Sequence, residues 1–299
     1  MTEEKDFKAE LAKRAALAEK IISGFLPEEN GFYQTLSKSV NYSVQVGGKR
    51  LRPIIMKETF DLFGGTEETI CHFMAAMEMI HSGSLVHDDL PCMDNDEYRR
   101  GKHTTWYVYH EDMATLAGDD LFIYPFEVAA AARKKTSDPG RVLRAIEVLA
   151  FKADHNGMIG GQSVDVEYTD RPITPEQLDY IHHNKTGALL EASMMIGAIL
   201  AGANDSDIAR VEKIASNIGL AFQIRDDILD EISTTEVLGK PVGSDENNNK
   251  TTFVSLYGMK AAEEAVEKLS REAIEELKAI GGEGTFLERL FDYMIGREK

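Results

Sequence analysis

Apolar residues recur at three- and four-residue spacing along almost the whole chain, and strictly alternating runs of β-branched residues are scarce. That periodicity predicts an all-α protein, with helices over roughly 4–23, 31–46, 51–63, 67–90, 105–134, 139–158, 175–202, 205–232, 252–280 and 284–296. Pro53, Pro139 and Pro175 stand where helices should begin, and Gly64-Gly65, Gly202 and Gly281-Gly282 where helices should stop. No linker composition interrupts the pattern, so residues 1–299 read as a single domain. The stretch Thr234 to Lys250, with Gly239, Pro241, Gly243 and three consecutive asparagines, is the longest polar irregular segment, a composition common in active-site lids.

Composition narrows the function. An apolar content of 43% is ample for a sizeable core, and the formal charge of -18 argues against nucleic acid or an anionic membrane as partner, since both need a basic field. An anionic substrate would have to be met locally. Cys71 and Cys92 form neither a disulfide framework nor a zinc spacing, which points to a reducing, cytoplasmic setting. No run approaches the 18 apolar residues of a membrane span, and residues 1–20 lack the pattern of an export signal.

Two acidic clusters carry the chemistry, Asp88-Asp89-Leu90-Pro91-Cys92-Met93-Asp94 and Asp226-Asp227-Ile228-Leu229-Asp230, each at the end of an apolar helical pattern. On the second helix Gln223, Asp226, Asp227 and Asp230 fall within roughly a 100° arc, continuing a stripe from Ile218 and Phe222. Carboxylates in the last turns of a helix oppose its dipole, and bunched carboxylates repel one another, so a hard cation is the expected neutraliser. In the first cluster His81, Ser84, Leu85 and Asp88 follow steps of three and four, Pro91 should end the helix, and Asp94 should reach back from a loop. One helical and one loop carboxylate suit Mg²⁺, which keeps waters and takes further ligands from phosphates. Taken alone, each acidic cluster could also be a solvated helix end or a polar turn.

Positive charge is concentrated in Gly47-Gly48-Lys49-Arg50-Leu51-Arg52-Pro53 and Arg99-Arg100-Gly101-Lys102, with Lys185-Thr186-Gly187 and Lys240 further on. Guanidinium forks and ammonium groups grip phosphate oxygens, and paired glycines let backbone approach closely. These runs are candidate diphosphate clamps.

In this order, together with Gly160-Gly161-Gln162 and with Phe222-Gln223 ahead of Asp226, the motifs span nearly the whole chain, which resembles the trans-type isoprenyl diphosphate synthases of the polyprenyl synthetase family. The resemblance implies a homodimer of large all-α bundles, each around a deep central cavity, the isoprenoid synthase fold. It implies that Asp88, Asp94 and Asp226 hold three Mg²⁺ ions on an allylic diphosphate, with Asp89 and Asp230 as supporting metal ligands or as residues just behind the ligands. By the same likeness Lys185, Thr186, Gln223, Lys240 and Arg99 would act on the allylic substrate, which could be dimethylallyl, geranyl or farnesyl diphosphate. Lys49, Arg52, His81 and Arg100 would hold isopentenyl diphosphate.

Chain length in such enzymes is set by side-chain bulk just before the first aspartate motif, here Gly83 and Ser84, roughly 6 to 8 Å down the helix from Asp88. Farnesyl-producing relatives carry an aromatic residue at the Gly83 position, so the expected product is geranylgeranyl diphosphate. Farnesyl diphosphate is the alternative if Met79, Ile80, Tyr109 or Tyr124 fills the space. Asp120, where relatives carry a small residue, has no role in this likeness. A class I terpene cyclase would not need the second cationic clamp, a non-catalytic partner subunit would lack one aspartate motif, and a diphosphate hydrolase would join no substrates.

Overall fold

A computed structural model describes residues 2–169, 171–232 and 251–296, and most of these are helical. The chain groups into two compact units: residues 1–146 with 200–202, and residues 147–199 with 203–299. The expected lid segment, Lys240 included, lies outside the described residues.

The first unit contains α1 (Thr2–Ser23), α2 (Gln34–Gln45), α3 (Leu51–Leu62), α4 (Thr69–Asp88), α5 (Thr105–Tyr109) and α6 (Glu111–Ala131). Its centre is α4, whose apolar residues face inward on nearly every side: Phe73, Met77, Met79 and Ile80 are all fully buried. A helix apolar all round has to be surrounded, and α1, α2, α3 and α6 pack on it. The closest partner is α6. Leu121 of α6 sits where a Gly83 side chain would begin, a Cβ there lying 2.9 Å from the leucine Cβ, and His87 of α4 fills the notch at Gly118. The two contacts run in opposite chain directions, so the helices are antiparallel.

Three expected boundaries differ. The helix expected over 105–134 breaks at His110, whose φ of 70° lies in the left-handed region, and ends in a 3₁₀ turn over Ala132–Lys135. A hairpin of β1 (Tyr98–Arg99) and β2 (Lys102–His103) precedes it. Its two-residue loop, Arg100 and Gly101, has φ of 55° and 75°, the pairing that lets a tight turn follow the twist of the strands. Two residues per strand leave almost no alternation to read.

The second unit contains the C-terminal part of α7 (Pro139–Ala153), most of α10 (Ala188–Ala201), and all of α8 (Met158–Glu167), α9 (Pro175–Ile181), α11 (Asp205–Ile232), α12 (Phe253–Tyr257), α13 (Met259–Ala279) and α14 (Phe286–Gly296). A core of Ile224 and Ile228 from α11 against Ala262 and Val266 from α13 joins its longer helices. Lys152, 13% exposed at its side chain, bridges Glu191 and Glu212 and so ties α7 to α10 and α11. Helix α8 lies mostly outside the expected helices and runs through Gly160-Gly161, a pair that ordinarily marks a break. The helix expected over 175–202 is interrupted by a π-helical segment, His182–Gly187. Gly258, with φ of 82°, splits the helix expected over 252–280.

Candidate active site

In the first unit, α4 delivers His81 and Asp88 on one face and ends at Asp88. The chain then turns back as expected: the Asp94 backbone N–H donates to the Asp88 carbonyl at 2.9 Å, bringing the loop carboxylate to the helix end. Asp88 is half-buried and Asp94 exposed. Asp89 is turned to a protein partner. It is only 4% exposed, and its Oδ1 accepts from Arg99 Nε at 2.7 Å with Nη2 at 2.5 Å. Burial pushes this carboxyl above the usual range while Arg99 pulls it down. Asp89 therefore holds Arg99, and the guanidinium expected to reach substrate is directed by that pair, with Asp96 at 3.6 Å.

The cationic run forms a cavity of about 490 Å³ bordered by Gly48, Lys49, Arg50, Arg52, Glu78, His81 and Arg100. All four residues expected to hold one diphosphate are thus together. Arg100 comes from the hairpin tip, donates from Nη1 to the Gly47 carbonyl, and lies where a Cβ at Gly48 would collide with it. That explains the second glycine of the pair. Arg52 Nη1 is 3.4 Å from His81 Nε2, while Arg52 Nε is buried with no hydrogen-bond partner among the described residues. Burial pushes the His81 pKa well below its ordinary value, and Arg52 and Arg100 push the same way. At neutral pH His81 is accordingly a neutral ring beside a guanidinium, with Nε2 as acceptor. Buried positive charge of this density is stabilised by an anion.

In the second unit, Lys185, Thr186 and Gln223 line a pocket of about 170 Å³, joined by Asp165, Arg171 and Asp227. Three residues expected from sequence therefore meet, and three more appear. Asp165 accepts from Lys185 Nζ at 2.6 Å and sets the direction of that ammonium. It lies three residues after Gln162 on α8, a helical step that could have flagged it. Lys185 and Thr186 sit in the π-helical segment, where an extra residue per turn re-aims side chains. Gly161 makes the approach possible, because a Cβ there would strike the Lys185 backbone nitrogen. The motif Gly160-Gly161-Gln162 is thus a close helix contact.

Of the second acidic cluster, Asp226 is half-buried, and Asp227 accepts from the Phe253 backbone N–H at 2.8 Å at the start of α12. Asp230 turns inward, 5% exposed. Among the described residues no set of three or more carboxylate, imidazole or thiol groups forms a ready metal cage. Asp88 and Asp94 in the first unit, and Asp226 in the second, are each accessible carboxylates of the kind Mg²⁺ takes alongside substrate phosphates and water.

The chain-length expectation meets a different geometry. Gly83 is buried, and the side chain nearest to a Cβ placed there is that of Leu121. A helix position without a Cβ invites its neighbour in. Tyr124 donates to the Phe25 carbonyl at 3.0 Å, and Tyr109 packs edge-on against Tyr42. Asp120 is half-buried on α6, its carboxyl pushed up by burial and by Glu127.

Residues 33–282 match a family model described as Polyprenyl synthetase. A geranylgeranyl diphosphate synthase of Cyanophora paradoxa is 41% identical over 288 residues, 96% of this chain and 95% of that protein. A farnesyl diphosphate synthase of Geobacillus stearothermophilus is 40% identical over 263 residues, 88% of this chain and 89% of that protein. Among solved structures, geranylgeranyl pyrophosphate synthetase from Pyrococcus horikoshii superposes with a TM-score of 0.85 at 30% identity, over 99% of this chain and 100% of that chain.

Proposed function

The chain belongs to the polyprenyl synthetase family and is a prenyltransferase with the all-α isoprenoid synthase fold, and from that premise we propose that geranylgeranyl diphosphate is its main product. The reaction joins isopentenyl diphosphate to dimethylallyl, geranyl or farnesyl diphosphate. The observation that carries the two-substrate reading is the cavity of Lys49, Arg52, His81 and Arg100 in a chain of net charge -18. A terpene cyclase, which handles one diphosphate, has no use for it.

Each group has a distinct task. Lys49, Arg52 and Arg100 hold the isopentenyl diphosphate by charge-assisted bonds, and neutral His81 adds a ring N–H. Asp88, Asp94 and Asp226 are the metal ligands, with Asp230 supporting them from its buried position, while Asp89 acts through Arg99. When bound, Mg²⁺ supplies the positive charge that stabilises the departing diphosphate. Lys185, steered by Asp165, meets the allylic diphosphate, as does Lys240. The allylic C–O bond breaks with its electron pair leaving on diphosphate. The isopentenyl double bond forms the new C–C bond, and a proton lost from the adjacent carbon passes to the freed diphosphate. The dipoles of Thr186 and Gln223 ease the cation, and exclusion of water keeps it from being quenched. A homodimer in the cytoplasm completes the reading, the compartment being supported by two cysteines that are both free.

Farnesyl diphosphate is the second reading, favoured by Leu121 filling the space beside Gly83. The test is a Mg²⁺-dependent assay with isopentenyl diphosphate and each allylic starter, reading product length by mass. A twenty-carbon product is expected. Termination at fifteen carbons makes it a farnesyl synthase, and Leu121→Ala should then lengthen the product. No elongation, with prenyl alcohol accumulating, overturns the synthase reading. In a twenty-carbon enzyme, Gly83→Tyr combined with Leu121→Ala, to relieve the overlap, should shorten the product.

A further inference from the structure

Arg50 sits within the cationic run and borders the same cavity, yet its guanidinium is engaged by the protein itself. Its side chain is 1% exposed, and each guanidinium nitrogen already donates to the protein. Nε meets Glu19 of α1 at 2.6 Å, Nη1 meets Glu78 of α4 at 2.5 Å, and Nη2 meets the Val44 carbonyl of α2 at 2.5 Å. We infer that Arg50 and Glu78 form an anchor that positions the isopentenyl diphosphate cavity, and that Arg50 is a positioning residue which does not itself grip the diphosphate.

The geometry gives the anchor its leverage. Arg50 is the residue before α3 and has a φ of 50°, a left-handed conformation that non-glycine residues adopt only when their surroundings hold them there. Its carbonyl accepts from Ile54 N–H at 3.2 Å and so opens α3, whose second residue is Arg52. Glu78 and His81 lie three apart on α4 and share a face. The Arg50–Glu78 contact is thus the rung next to the Arg52–His81 contact, and loosening the first moves the second. Charge adds to shape: Glu78 favours the charged form of Arg52, against burial and the nearby Arg100. Lysine cannot replace Arg50, because one ammonium on a flexible stem does not reach acceptors on three helices at once.

The proposal rests on the cavity being the isopentenyl diphosphate site, and its test separates the two claims. Arg50→Lys keeps the charge and loses the fork, and Glu78→Gln keeps the shape and loses the charge. In the full-length enzyme with Mg²⁺, each should raise the KM for isopentenyl diphosphate by about ten- to a hundredfold while the allylic KM stays within about twofold. Glu19→Gln neutralises the one acceptor that is 39% exposed and should raise the same KM by a smaller factor, which keeps the test available if Arg50→Lys does not fold. Arg52→Ala and Lys49→Ala test the cavity itself. If these two leave the isopentenyl KM unchanged, the site reading fails. If they raise it but the anchor variants do not, or if the anchor variants raise both KM values equally, the anchor is overturned.

Discussion

A buried histidine makes folding depend on pH. His182, in the π-helical segment and 8% exposed, has a pKa lowered to about 4, first by burial and then by His183, with Asp179 and Asp165 opposing. Its folded pKa lies below the unfolded value, so below about pH 6.5 the unfolded chain takes up a proton that the folded chain refuses. Stability is therefore complete above pH 6.5 and falls as the pH drops from there towards 4, by about 3 kcal/mol in all. His81 is shifted the same way and adds to the loss. Urea unfolding at pH 7 and pH 5 should show the fall, and His182→Asn should flatten it; an unchanged slope would count against a neutral His182. Gly161 acts by packing instead, since a Cβ there would meet the Lys185 backbone. Gly161→Ala should lower the thermal midpoint, costing about 1–3 kcal/mol through overpacking, and reduce kcat by displacing Lys185.

At the level of elements, the end of α11 divides its adjacent aspartates by the neighbours their positions meet. Asp227 takes the first N–H of α12, as a helix cap does. Asp227→Ala should therefore cost about 1 kcal/mol of stability and leave the Mg²⁺ dependence largely in place. Asp226→Ala should raise the Mg²⁺ concentration needed for half activity with the thermal midpoint nearly unchanged. Metal titration of both variants checks this, and equal metal defects would remove the distinction. Sequence periodicity placed all three aspartates on one arc, and a capping partner far along the chain was invisible to it. The same holds at α4, where Asp88 and Asp89 look alike in sequence, yet Arg99 closes to 2.5 Å on buried Asp89.

For the molecule as a whole, charge and metal act together. A surface carrying net -18 repels free diphosphate at long range, so binding must come from the local cavities and, at the acidic motifs, from Mg²⁺. Chelation of Mg²⁺ should abolish turnover while leaving far-ultraviolet circular dichroism unchanged, since the helices are packed through apolar cores. A collapse of helicity on chelation would mean that the metal is structural. Light scattering should give twice the 33.2 kDa chain mass, and an active monomer would refute the dimer.

The sequence alone determined the all-α class, because a 3.6-residue apolar period is a local property of each segment. It determined as well the acidic and cationic motifs and the grouping of Lys185, Thr186 and Gln223, since residue type and family order carry that information. Only the tertiary structure decided that Arg50 is an anchor, that Asp89 serves Arg99, that Asp165 aims Lys185, and that Leu121 occupies the space Gly83 leaves. Each of these joins residues distant in the chain, where burial and packing determine the partner. A side chain's chemistry is written at its own position, but which chemistry remains available to a substrate depends on what folds against it.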